Sequence, residues 1–463
     1  MSKTGFVARP FARIVRAIPL VAALALAGCL ATPVTNPPTR ASTLTTSLPP
    51  MKLFPSAPVF TSTRPNAEIA EDFLDLAFRL ENGRLIPRLT RFEEPITVRF
   101  NGPATETAQR DLSGLLTRLR QEADIDISLS TNQTANIAIE FVDQTELQRA
   151  LPGAACFVVP RVSSWSEFKA FRRTPQVDWT TLERRDRAAI FIPAGVAPQE
   201  VRDCLHEELA QALGPLNDLY RLPDSVFNDD NLHAVLTSFD MLVLRMYYAP
   251  ELRNGMTRGE VGVRLPSLLA RINPQGERPR TQIRNDTSRD WIDAIEVALT
   301  RGNSESRRRN AAETAINLGR SYGWRDNRAG FALFAYGRLQ VRNDASLARS
   351  AFKAADRYFA QSPYTQIHRA HVAVQLAAYA LSAGDAQQTL EITNAAIPIA
   401  RAHENAAILA TLMMFKAEAL TLQGNEEQAE AIRLDSLGWA RYGFGTEANV
   451  RARLSEVAGL NPT

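Results

Sequence analysis

Cysteine is scarce in this chain: three residues in 463, at positions 29, 156 and 204. With 45% hydrophobic residues, the chain depends for stability on buried cores, and its length suits two or three domains. Charge of one sign is also missing. The formal net charge is +3 and the arginines are dispersed, so the sequence carries no nucleic-acid footprint, and no nucleic-acid partner is expected. Long apolar runs are absent too. The longest near the start, Ile18 to Ala27, is too short to span a bilayer as a helix.

What surrounds that run has a pattern. Lys3, Arg9, Arg13 and Arg16 precede it, and it ends Leu26-Ala27-Gly28-Cys29, which resembles the bacterial lipobox, whose cysteine is acylated. The resemblance implies a lipoprotein signal peptide over 1–28 and lipidation of Cys29, which would hold the protein to a membrane. Leu30 stands where an inner-membrane retention signal would have aspartate, so an outer-membrane lipoprotein on the periplasmic face is expected. Residues 29–65, rich in Pro, Ser and Thr, read as a disordered tether. With Cys29 so used, Cys156 and Cys204 remain. In an oxidising compartment an even pair most simply forms a disulfide, two free thiols being the alternative.

Beyond the tether, Asn66 reads as a cap for a helix over 67–81, with Ile69, Phe73, Leu76, Ala77 and Leu80 at helical spacing. Residues 95–100, 125–129 and 136–142 read as strands, and 105–122 as an amphipathic helix. The apolar run Ala188–Pro193 reads as an edge-like strand before the next helix. Between these lies an insertion, 152–187, containing Trp165, Phe168, Phe171 and Trp179. Either it is an exposed recognition loop or it folds onto the sheet edge.

The chain is organised around 203–218. A helix is expected from Pro198, a good first-turn residue, to a C-terminal cap at Gly214. Val201, Leu205, Leu209, Ala212 and Leu213 share one face, and Glu207 and Gln211 share the other, with Glu208 at its margin. This stretch resembles the metzincin signature HExxHxxGxxH with its ligands replaced. Read from His206-Glu207 the glycine falls one place late. Shifted by one residue, Glu208 takes the general-base position, Gly214 the turn, and Glu207, Gln211 and Asn217 the ligand positions. Phe227 then falls near the turn methionine of matrixin-like metzincins, and 236–248 is similar to the helix that follows it.

Cys204, Glu207-Glu208, Gln211, Leu213-Gly214 and Asn217-Asp218, followed by Ser225, Phe227, Asn228 and Asp229 and by 249–256, are also similar to the bacterial family called domain of unknown function 2927. That resemblance implies a secreted or lipid-anchored domain and no established activity. Glu207, Gln211 and Asn217, with Asp218 or His206 as extras, form an oxygen-rich donor set. It suits a hard cation such as calcium better than zinc, and the leading expectation is no cofactor. A metal-dependent hydrolase would use Glu208 as general base.

From about residue 280 the composition turns alanine-rich and helical. The turns Asn343-Asp344, Gly384-Asp385 and Gly424-Asn425 recur at a spacing of about 40 residues, with small residues at matching points. The pattern resembles tetratricopeptide repeats, whose concave face would bind a protein partner. Residues 436–445, with Trp439, Tyr442 and Phe444, read as a docked capping segment or an exposed anchor. The expected architecture is therefore an α/β (α+β) zincin-like domain over 66–275, with a twisted sheet and a motif helix, followed by an all-α tetratricopeptide-like array over 276–463. The expected function is that of a lipid-anchored binding or scaffold protein with a degenerate, non-catalytic peptidase-like domain, the hydrolase being the alternative.

Overall fold

The computed structural model describes residues 47–55, 62, 64–132, 134–281 and 285–462; the signal segment and Cys29 lie outside them. The first half alternates strands and helices: α1 (Asn66–Ala77), β1 (Ile96–Asn101), α2 (Glu106–Glu122), β2 (Ile127–Leu129), β3 (Ile137–Val142), α3 (Gln144–Ala150), β4 (Phe157–Pro160), α4 (Trp165–Phe171), β5 (Ala188–Pro193), α5 (Pro198–Leu213), α6 (Ser238–Tyr247) and α7 (Arg258–Ile272). The strands form one sheet in the order β2-β1-β3-β5-β4. β1, β2, β3 and β5 are parallel, and β4 is antiparallel to β5, with Val158 opposite Ile190.

Ala188–Pro193 is therefore not an edge. All six residues of β5 are buried and it pairs on both sides, which is why it reads as a continuous apolar run. The edge is β4, four residues inside the insertion and too short to show a period. The insertion folds onto that edge: Trp165 and Phe168 pack on Phe157 and Phe191 with ring centres 5.1–6.3 Å apart. α1 also ends earlier than its periodicity suggests, because Arg79 turns to bridge Leu85. Asn66 does not cap it. Its amide donates to the Asn273 carbonyl (3.1 Å) and accepts from the Asn273 side chain (2.9 Å), fastening α1 to the end of α7.

The second half is all helical: α8 (Arg289–Leu299), α9 (Glu305–Ser321), α10 (Asn327–Gln340), α11 (Ala345–Phe359), α12 (Gln366–Ser382), α13 (Ala386–Ala402), α14 (Ala406–Leu422), α15 (Glu426–Phe444) and α16 (Glu447–Ala458). Consecutive helices pack as pairs, α8 with α9 through α14 with α15. Small residues permit the close approach: Ala312, Ala315, Ala348, Ala355, Ala377, Ala396 and Ala417 are buried. Part of the expected tether is seated on this array. Lys52 N–H donates to the Gly438 carbonyl (3.0 Å), Arg441 donates to the Pro49 carbonyl (2.8 Å), and Phe54 stacks on Trp439 at 4.6 Å. A proline-rich strand has no internal ladder, so its free backbone groups take partners from α15.

The α/β part and the array form one compact unit from Leu48 onward. The first helices of the first three pairs meet the loop that follows α5. Tyr220 and Leu232 sit in one core with Trp291 (α8), Phe331 and Phe334 (α10) and Val372 (α12), and Asn327 donates to the Tyr220 carbonyl at 2.6 Å. Tyr442 closes the far end by donating to Asp111 on α2 (2.7 Å), so residues 436–444 are a docked segment. No helix among the described residues is long and apolar enough to cross a membrane.

Candidate functional site

α5 begins at Pro198 and is closed by Gly214, as its sequence signals suggest, but it is not amphipathic in place. Leu205, Leu209 and Ala212 are buried, and so are His206, Glu208 and Gln211. The helix runs beneath the sheet between α2, β4, β5 and α15, so its polar residues are interior groups that need partners. Cys204 forms a disulfide with Cys156, joining α5 to the start of β4.

The expected donors separate. His206 accepts a hydrogen bond at Nδ1 from the Leu236 amide (3.0 Å), and burial first, then Arg202 and Arg118, hold its pKa well below the imidazole range. It is a neutral structural residue pinning the loop before α6. Asn217 donates its amide to the Asp75 carbonyl at 3.0 Å and so ties the turn after Gly214 to the last turn of α1. Gln211 is buried and makes no side-chain hydrogen bond among the described residues. Among the described residues no three His, Cys, Asp or Glu side chains are placed to hold a metal ion. A zinc ion, which the metzincin resemblance implies, does not suit this donor set: its one histidine is engaged, and two of the ligand positions are amides.

The structure gathers carboxyl groups instead. Glu207, Glu208 and Asp218 face Glu81, at the turn after α1, and Asp229. Glu208 is 4% exposed; it accepts from the Val158 amide of β4, and its Oε2 has no partner. Asp218 Oδ1 is unpartnered as well. Loss of solvation and then neighbouring carboxyls raise Glu207 to about 7 and Glu208 and Asp218 well above the carboxylate range; Glu81 rises to about 7 with Asp229 and Glu296 as its neighbours, and Asp229 to about 6 through burial, then Glu296 and Asp230, against the Tyr220 hydroxyl and Arg289. Among the described residues no lysine or arginine offsets Glu81, Glu207 or Glu208. Glu81 is solvent-exposed and Glu208 is buried, so the group runs from the surface inward. It can hold protons at neutral pH or exchange them for a cation.

Around the cleft the family residues build the frame. Asp240, at the N-terminal turn of α6, accepts from Ser225 Oγ (2.5 Å) and from the Val226 amide (3.1 Å). Asn228 donates to the Leu222 carbonyl (2.7 Å) and Asp230 Oδ2 (3.0 Å), folding the loop between α5 and α6. Phe227 is fully buried, and its carbonyl accepts from the Leu219 amide (2.9 Å). Gly214 is required by packing: a Cβ there would stand 2.9 Å from the Tyr247 ring.

The model for a family described as a protein of unknown function, DUF2927, matches residues 66–267. The chain carries a DUF2927 domain. No curated protein and no solved structure matches it. The matched DUF2927 segment runs from α1 into α7 and contains the sheet, α5 and the cleft, while the helical array lies beyond it.

Sequence reasoning missed Arg185. Its guanidinium is buried and donates to the carbonyls of Gln211 (2.6 Å), Ala212 (2.7 Å) and Gly214 (2.6 Å), satisfying the C-terminus of α5, and it stacks over Trp179 at 4.9 Å. Burial lowers its pKa, and no carboxylate pairs with it. The signal available was only an arginine beside an aromatic insertion, which does not point to a helix end.

Proposed function

We propose that this protein is a lipid-anchored envelope protein, held to the outer membrane through Cys29, whose DUF2927 domain is a non-catalytic, metallopeptidase-like scaffold that binds a cationic group in its acidic cleft. One observation carries the reading: Glu207, Glu208 and Asp218 converge with Glu81 and Asp229, with no basic side chain among the described residues to neutralise Glu81, Glu207 or Glu208. Such a cleft is costly without a ligand, and a lysine ammonium, an arginine guanidinium or an amine would restore balance while displacing protons. Support for a peptidase-like scaffold comes from the short antiparallel edge strand β4, which lies along the motif helix and reaches Glu208. The first-helix face of the array already holds the domain's own loop. In this reading the array shapes the loop, and any outside protein partner meets its other surfaces.

The hydrolase alternative assigns Glu208 as general base. Burial and then Glu207 and Glu81 disfavour its ionised form, the form a general base needs, which speaks for binding over base catalysis. The full chain in detergent would be titrated with a lysine- and arginine-bearing peptide and with its neutral counterpart. Binding of the basic peptide alone, with release of protons and a tenfold or greater loss in Glu207→Gln, is expected. Equal binding of both peptides, or none, sinks the reading. Turnover that disappears in Glu208→Gln would install the hydrolase instead.

A further inference from the structure

The chain has five histidines, and four of them meet at one place far from α5 in sequence. His233 lies in the loop before α6, His368 and His371 on α12, and His403 at the end of α13. The ring centres of His233 and His368 are 6.0 Å apart, and those of His233 and His403 are 5.6 Å apart.

Their hydrogen bonds fix their tautomers. His233 Nε2 lies 2.9 Å from the Pro223 carbonyl, and His371 Nε2 lies 3.4 Å from the Leu232 carbonyl. A carbonyl can only accept, so each Nε2 carries the proton and each Nδ1 is left as a lone pair. His368 Nε2 lies 2.8 Å from Asp230 Oδ2, and both residues are buried. Donation to that carboxylate places a proton on Nε2, so in the neutral ring Nδ1 is a lone pair, and this atom is buried without a partner among the described residues on a side chain that is 0% exposed. His403 makes no side-chain hydrogen bond among the described residues. Imidazoles whose second nitrogen donates to a carboxylate or carbonyl are oriented as metal ligands are, with the lone pair raised in basicity and the ring held still.

We propose that His233, His368 and His403 form a binding site for a late first-row transition-metal ion, Zn2+ or Cu2+, at the joint between the DUF2927 domain and the helical array. Neutral imidazole nitrogens suit these ions, and oxygen-seeking cations would not choose them. Two imidazoles bonded to one ion at about 2.0–2.1 Å in tetrahedral geometry have ring centres roughly 5 Å apart. The spacings of His233 to His368 and of His233 to His403 therefore need to close by about 1 Å or less, and movement of His403 must also bring it to His368. No three donors already converge among the described residues, so rotation of the His403 ring, which no hydrogen bond holds, is the change that binding adds.

The full chain in detergent, stripped with chelator, would be titrated with Zn2+ and with Cu2+ alone. One ion per chain with a dissociation constant below about 1 µM is expected, a tight site by the affinity scale. The Cu2+ form should show at least two nitrogen ligands by electron paramagnetic resonance. His403→Ala, which removes no hydrogen bond, should weaken binding tenfold or more while the far-ultraviolet circular dichroism stays unchanged. The proposal is overturned if no stoichiometric ion binds, if the bound copper has fewer than two nitrogen ligands, if His403→Ala binds as tightly as the parent, or if Glu207→Gln rather than His403→Ala abolishes binding.

Discussion

Two residues with opposite needs define this molecule at the smallest scale. Glu207 is a carboxyl held in its neutral form by burial and by Glu81 and Asp229, with a pKa of about 7. A folded pKa above the unfolded one adds stability that is complete below about pH 4.5 and is lost as the pH rises through about 7. The urea midpoint should therefore fall between pH 5 and pH 8 by more in the parent than in Glu207→Gln. The difference is expected at about 1–2 kcal/mol, because the group is partly exposed and shares its protons with neighbours. Identical slopes would show that the cleft does not store its charge in this residue. Arg185 is the reverse, a cation buried without a counter-ion, tolerated because three helix-end carbonyls surround it. Arg185→Met leaves those carbonyls unmet and should cost at least about 3 kcal/mol in denaturant unfolding. Arg185→Lys should recover only part, since an ammonium cannot match the planar fork.

At the scale of elements, α5 and β4 act as a pair. The Cys156–Cys204 disulfide closes a span of 48 residues between them, and the Val158 amide of β4 reaches Glu208 on α5. A crosslink of that span stabilises by about 4 kcal/mol in the chain-entropy account. The double substitution Cys156→Ser/Cys204→Ser should lose roughly 2–4 kcal/mol and speed amide exchange at Val158 before the central strands β3 and β5. Retained protection at β4 would show that the sheet alone holds the edge. The sequence marks α5 well, because Pro198 and Gly214 are local signals whose cause lies within the helix. Its polar face was misleading, because helical periodicity registers alternation and α5 is buried on nearly every side. β4 was illegible for a related reason: Phe157–Pro160 spans four residues and is strand only because β5 lies beside it. The candidate site was half legible. Glu207, Glu208 and Asp218 stand in the motif and Asp229 in the pattern that follows it, whereas Glu81 joins them only through the fold. His206 and Asn217 fell out because their partners, Leu236 and Asp75, are distant in sequence.

At the scale of the whole molecule, the change of composition near residue 280 marks a change of architecture without marking a separation. The loop from Asn217 to Leu236 packs both ways: Leu222, Val226, Phe227 and Leu236 sit in the α/β core, and Tyr220 and Leu232 in the core of the array. Tyr220 stands 5.0 Å from Trp291 and 6.0 Å from Phe331 by ring centres, Asp230 meets His368, and Asn327 holds the Tyr220 carbonyl. Farther along, Gln199 on α5 bonds both Asn405 (3.2 Å) and the Ala407 amide (2.9 Å), and Arg202 pairs with Glu404. A chain ending at residue 275 would therefore expose Tyr220 and Leu232, take Glu404 from Arg202, and release the loop that carries Asp229. Exposing two large apolar side chains costs about 3–6 kcal/mol, and losing the partner of a half-buried charge adds to it, against a total stability of the order of 5–15 kcal/mol. Such a truncated chain should bind a hydrophobic dye and be cut by protease within the segment 217–236, and supplying residues 276–463 in trans should suppress both. The intact chain should unfold in a single transition followed equally by fluorescence and circular dichroism. Two resolved transitions, with the first-half chain folded and resistant alone, would show that the array only decorates a self-sufficient domain.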